Sequence, residues 1–210
     1  MTTLPTLPGC QQRSLEAAHH LLDHDRVRDG LDWLEVDTVT VHEGSVQVTG
    51  RLVAPVEPFG VFVLGDLHVE GDLVLDSGRG GAISLIVVSG NVRAKNLLFR
   101  RGAVLLVLGA VDVSGGVFGA LGSTDMGAAM WVGGSLTAAT VLLDESTELT
   151  VEGPVLTTVL GGDVRCDAAP APSRFPIDAG LFDARGFDED TGAEFWDVDA
   201  AWRLATTKNR

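Results

Sequence analysis

Few side chains in this 210-residue chain have both the type and the spacing that chemistry requires. In AHHLLDHD (18–25), His20 and His24 stand four apart beside Asp23. On a helix that spacing puts two imidazoles on one face, as in a two-histidine metal site. No glutamate or third ligand follows at a fixed distance, so a solvated helix face is the preferred reading and no metal is assigned. Asp66, Asp72 and Asp76 with His68 could gather carboxylates and an imidazole on one exposed face, as chemistry on a polysaccharide needs. Alternation leaves His68 by itself on the outer face. There is no GxSxG elbow, no phosphate loop ending in Gly-Lys-Ser/Thr and no HExxH, and SGRGG (77–81) lacks the lysine and following helix. Cys10 and Cys166 form no CxxC pair and read as free thiols of a cytosolic chain. Arg93, Lys95, Arg100 and Arg101 crowd into VRAKNLLFRR; they either pair with acidic neighbours such as Asp66, Glu70 and Asp72 or hold an anionic ligand. No catalytic residue or cofactor is assigned, and the expectation is that the chain is not an enzyme.

What must position these residues is a repeat running from about Val39 to Asp163. Five segments share one form: VFVLGDL, IVVSGNV, LLVLGAV, MWVGGSL and LTVEGPV. Aligned on Gly65, Gly90, Gly109, Gly134 and Gly153, the residue two before is always valine: Val63, Val88, Val107, Val132 and Val151. Two after come Leu67, Val92, Val111, Leu136 and Val155; eight after come Leu73, Leu98, Val117, Leu142 and Gly161. A weaker copy around Gly44 places Val46, Val48 and Leu52 at the same offsets. The two-residue rhythm is that of strands with one buried face. Spacings of 25, 19, 25 and 19 between the glycines make each repeat one turn of a solenoid. Stacked turns then bury a common core that no turn could bury alone. The glycines mark corners, where φ is unusual or backbones crowd. Every second turn carries extra residues, such as DSGRGG (76–81) and GSTDMG (122–127). A β-sandwich with Gly-rich turns is the competing fold, but it does not predict one residue type at five matched offsets. The fold expected is all-β, a single-stranded parallel β-solenoid (β-helix) of about six coils over residues 32–164.

Flanking segments complete the organisation. Residues 1–31 read as a lead-in and a capping helix, with Ser14 as N-cap, Glu16 in the first turn, Leu15, Ala18 and Leu22 as apolar stripe and Gly30 as stop. It is expected to cover the open end of the first coil. APVEPFG (54–60) reads as a coil corner. Residues 165–210 read as a proline-rich linker, AAPAPSRFP (168–176), and an acidic, aromatic cap. Between Asp183 and Asp199 lie seven acidic residues and one arginine, and a helix from Gly192 aligns Phe195, Val198 and Trp202. The tail either plugs the last coil with its aromatics or serves as a recognition segment.

Fifteen basic against 29 acidic residues leave a net charge of −14. This excludes sequence-independent nucleic-acid binding, which needs a positive footprint, and favours a basic protein partner unless it serves solubility alone. Expected contact residues are Asp66, Glu70, Asp72 and Asp76 on the coils and Asp188, Glu189, Asp190, Phe195 and Trp196 in the tail. No apolar run reaches membrane-spanning length and MTTLPTLPGC lacks a secretory pattern, so no membrane role and a cytoplasmic location are expected.

Segments such as VLGDLHVEGDLVLD (63–76) and VLGAVDVSG (107–115) resemble the repeats of bactofilins, bacterial polymer-forming cytoskeletal proteins. The resemblance covers about 125 of the 210 residues. It implies a β-solenoid core and self-assembly by end-to-end stacking, which caps at both ends would block. Two functions therefore stand at this stage. One is a non-catalytic acidic binding protein, such as an immunity-type antagonist of a basic bacterial toxin, with a homodimer as one assembly open to it; the other is a bactofilin-like homopolymeric scaffold.

Overall fold

A computed structural model describes residues 2–3, 9–54, 58–77, 83–120, 127–162, 164–187 and 194–207. It is a parallel β-solenoid of about five turns. Each turn lays strand segments on three sides. The first side stacks Thr38–Glu43, Gly60–Leu64, Ser84–Val88, Ala103–Val107, Ala129–Val132, Glu148–Val151 and Val164–Cys166, all parallel. The second begins with Val46–Val48, Leu67–Val69 and Val92–Ala94, and the third with Leu52–Val53, Asp72–Asp76 and Asn96–Arg100. Three longer strands, Val111–Ala120, Leu136–Leu143 and Val155–Gly161, run along both of these sides and join them into one sheet.

The vertical files expected from the repeat are present. Val63 pairs with Val88, Val88 with Val107, Val107 with Val132 and Val132 with Val151, and all are buried in one core cluster. Leu67, Val92, Val111, Leu136 and Val155 form the neighbouring file, with Val46 of the weak copy beneath Leu67. The repeat glycines sit at the first corner with negative φ, and crowding is what selects them. The Gly90 N–H donates to the Gly65 carbonyl at 2.9 Å, Gly109 to Gly90 at 3.0 Å and Gly134 to Gly109 at 2.9 Å. A Cβ on any of them would strike the backbone one turn below.

The third file departs from expectation. Leu73 stacks on Leu97, not Leu98, and Val117 on Val141, not Leu142. At the second corner the turns containing Gly71 and Gly115 carry one residue more than those at Lys95 and Ala139. The ladder shifts register there, between Val113 and Gly116. A one-residue offset reverses the facing of each later side chain, so Leu98 and Leu142 point away from the core.

The flanking elements also differ from the sequence reading. Ser14 does cap a helix, accepting from the Ala17 N–H at 3.2 Å, but that helix, α1 (Leu15–Ala18), ends early and a second, α2 (Asp25–Asp32), follows. Gly30 lies inside α2 and stops nothing; its missing side chain lets the helix approach Leu85 and Leu106, whose methyls would lie 3.2 Å from a Cβ there. These helices do not cover a coil end. Ala18, Val27 and Leu31 pack on Phe62, Leu85, Val87, Leu106 and Trp131, the outer surface of the first side. The end of that side is covered by an antiparallel strand, Cys10–Ser14, beside Thr38–Glu43. The helix expected from Gly192 begins at Val198 instead: α3 (Val198–Thr207) follows a short hairpin of Arg185–Phe187 and Glu194–Trp196. Its Val198, Ala201 and Trp202 cover Val74, Leu98, Phe118 and Leu142, the outer surface of the third side. The tail is thus docked on a flank, with Trp202 edge-on to Phe118 at 5.6 Å and Trp196 close against Gly161 at the end of the last long strand.

Candidate interaction surfaces

Helical layers cover the outside of sides one and three, and the second side is left bare. Its inward residues are buried while Gln47, His68, Arg93, Asp112, Thr137 and Leu156 point out along one row. A single strap crosses it. Ala171 bridges to Leu156 and Arg174 donates to Asp112 at 2.9 Å, so the proline-rich linker lies across the later turns. The earlier turns hold two shallow cavities that share His68 and Arg93. One, of about 350 Å³, adds Ser45, Gln47, Asp66 and Asn91; the other, of about 360 Å³, adds Glu70, Lys95, Ser114 and Phe175.

The cations of VRAKNLLFRR divide. Arg100 Nε donates to Asp76 at 2.9 Å and Arg100 also pairs with Asp199 at 2.8 Å; Arg101, at φ 55°, pairs with Asp76 as well. The expected pairing with Asp66, Glu70 and Asp72 is therefore replaced by Asp76, one turn below in register with Arg100. Among the described residues, Arg93 and Lys95 have no carboxylate partner within 4.0 Å.

Of the acidic residues expected at a partner surface, three serve the solenoid itself. Asp66 accepts from the Asn91 backbone at 2.7 Å and its amide at 3.1 Å. Asp72 accepts from Asn96 at 2.8 Å and lies 4.0 Å from Arg51. Asp76 is tied to Arg100 and Arg101. Among the described ones, Glu70 is exposed without such a bond. Trp196 packs on Phe182 at 5.9 Å, with Arg185 4.9 Å over its ring. Asp188, Glu189 and Asp190 and the side chain of Phe195 lie outside the described residues, as do most of the two glycine-rich loops.

His20 and His24 do not share a helix face. His20 lies in the turn after α1 and His24 immediately precedes α2, its ring 4.9 Å from Trp131. Among the described residues no group of three His, Cys, Asp or Glu side chains is placed to hold a metal ion.

The sequence reading missed Trp33. This residue ends α2 and is 53% exposed, with exposed Asp29 one helical turn before it and exposed Asp32 and Glu35 beside it in sequence. Asp23 and Asp25 take Arg28 and raise its guanidinium above the ordinary arginine value, the Asp23 hydrogen bond being the largest cause. The available signal was the periodicity of DGLDWLEV: Gly30, Leu31 and Leu34 make the buried stripe, and Trp33 falls off it.

The fold and these surfaces define a β-solenoid with two flanking helical layers and one open side. No family model, curated protein or solved structure matches the chain. Among the described residues no helix is long and apolar enough to cross a membrane.

Proposed function

We propose that this chain is a non-catalytic binding protein that takes a basic protein on its N-terminal helical layer, in the manner of an immunity-type antagonist of a bacterial toxin. The observation that carries this reading is Trp33, half-exposed at the end of α2 with the exposed acidic residues Asp29, Asp32 and Glu35 close to it in sequence. Tryptophan is a frequent anchor of binding energy in protein interfaces, and its ring face attracts arginine and lysine. The net charge of −14 steers a cationic partner towards the chain. A cytoplasmic location belongs to the same reading and suits a chain in which no disulfide joins Cys10 to Cys166.

The test is affinity capture from lysate of the source cell with the wild-type chain and with Trp33→Ala in parallel. The expected result is a strongly basic protein retained by the wild type, lost in the variant and weakened by salt. Retention that ignores both Trp33 and salt would sink the reading.

A bactofilin-like scaffold is the second reading, and one observation favours it. The helical layers lie on flanks, so the cap over a solenoid end is the antiparallel strand Cys10–Ser14 at the N-terminal end, and among the described residues no helix blocks stacking at the other. The last strand of the first side, Val164–Cys166, pairs among the described residues only with Glu148–Val151 and so leaves an edge there for a further strand. Filaments under negative-stain microscopy would select this reading, whereas a monomer or dimer on size exclusion would remove it.

A further inference from the structure

We infer that the open second side carries a binding groove for a short, carboxylate-bearing oligosaccharide, lying along the solenoid axis over Gln47, His68 and Arg93. The first ground is charge. Carboxylates outnumber cations in this chain by 29 to 15, and most arginines around the solenoid are paired: Arg51, Arg100, Arg101, Arg165 and Arg174 each meet an aspartate or glutamate. Arg93 and Lys95 have none among the described residues, and both line the cavity that also holds His68 and Glu70. A guanidinium held on a strand, with its fork free, is fitted to a carboxylate.

The second ground is the kind of groups in the groove. Gln47, His68, Glu70 and Ser114 make no hydrogen bond through their side chains to any described residue, and together they provide both donors and acceptors. Hydroxyl groups of a sugar, which both donate and accept, need such a mixture, whereas a polyphosphate chain only accepts and would leave the acceptors of the groove unused. Phe175 lines the same cavity and adds apolar contact beside them, with one face of its ring already covered by Arg174 at 4.9 Å. An extended acidic peptide fits less well. Peptides that add to sheets do so at an edge, through the backbone, and here the backbone groups are used in the ladders on either side.

The third ground is dimension. Gln47, His68, Arg93 and Asp112 occupy consecutive turns in register, each step about 4.8 Å, so the row spans about 14 Å. That is the length of a trisaccharide. The strap closes the row at its far end, where Arg174 holds Asp112. The site is separate from Trp33, so its failure leaves the protein-binding reading standing, and the reverse.

Isothermal titration of the full-length chain with trigalacturonate tests the inference, with maltotriose as the neutral counterpart and triglutamate as the peptide counterpart. Expected is a dissociation constant below ~1 mM for trigalacturonate, no measurable heat with maltotriose, and at least a tenfold loss in Arg93→Gln, the order expected for one charge-assisted pair. Lys95→Gln should weaken binding too, while Arg165→Gln, at the far end of the solenoid, should not. Thermal unfolding of each variant at the wild-type temperature shows that the fold is kept. No binding of trigalacturonate, binding that survives Arg93→Gln, or equal affinity for triglutamate would each overturn the assignment.

Discussion

Gly134 sits so closely over Gly109 that a Cβ built on it would lie 2.7 Å from the Gly109 carbonyl oxygen. The contact repeats up the first corner, where Gly153 meets Gly134 and Gly109 meets Gly90 in the same way. A methyl group here must push two turns apart or distort the corner. Gly134→Ala should therefore destabilise by about 1–3 kcal/mol, the usual cost of forcing extra volume into a packed site. Gly50 is the control: φ is +81° and nothing lies within 4 Å of its absent Cβ, so Gly50→Ala costs only left-handed strain, about 1 kcal/mol. Denaturant melts of both variants rank them, and equal effects would refute crowding as the reason for the glycine file.

Leu97 and Leu98 are adjacent and both buried, but they face different layers. Leu97→Ala opens a cavity inside the solenoid and should cost about 2–5 kcal/mol. Leu98→Ala removes the floor under α3. Its hydrogen-exchange signature should be faster exchange confined to 198–207, with the solenoid strands unchanged.

Asp76 meets both Arg100 and Arg101, and its side chain is only 13% exposed. Asp76→Asn leaves the mostly buried Arg101 without its carboxylate, while Arg100 keeps Asp199, and should destabilise by about 3 kcal/mol. A loss no larger than that of an exposed pair, about 0.5 kcal/mol, would mean that solvent already screens these charges. Glu148→Gln, which removes the exposed partner of Arg165, provides that comparison.

Two tryptophans separate packing from recognition. Trp202, 7% exposed on the inner face of α3, touches Phe118 and lies beneath Arg51, so Trp202→Ala should cost about 3–5 kcal/mol. Trp33→Ala should leave stability within about 0.5 kcal/mol. A large stability loss at Trp33 would move it from the interaction surface to the core.

Oxidation should not join Cys10 to Cys166. Both face the same inner file, but at its opposite ends: Cys10 pairs across to His42 beneath Val63, and Cys166 lies above Val151. The seven steps between them, at about 4.8 Å each, far exceed the Cα separation a disulfide spans. Non-reducing electrophoresis should show an unshifted monomer.

The sequence by itself determined the solenoid, because its evidence is one-dimensional. A valine two residues before each glycine fixes which side chains stack, whatever the rest of the chain does. It also held a signal for the open side. LHV, VRA and VDV alternate strictly, as half-buried strands must, whereas VFVL, LIVV and LLVL are apolar on both faces and so demand a second covering layer. Only the tertiary structure decided what supplies that layer and where the register slips. The apolar stripes of α2 and α3 would suit a coil end as well as a flank, since the hydrophobic effect has no direction. Corner lengths differing by one residue at Gly71 and Lys95 reverse the facing of Leu98 and Leu142 without altering their apolar character. Likewise, whether a carboxylate meets a guanidinium depends on neighbours about 24 residues away in sequence, as with Asp76 and Arg100. That is why Asp66, Asp72 and Asp76 read as surface acids in the sequence and prove to be ties between turns, while Arg93 meets no carboxylate among the described residues.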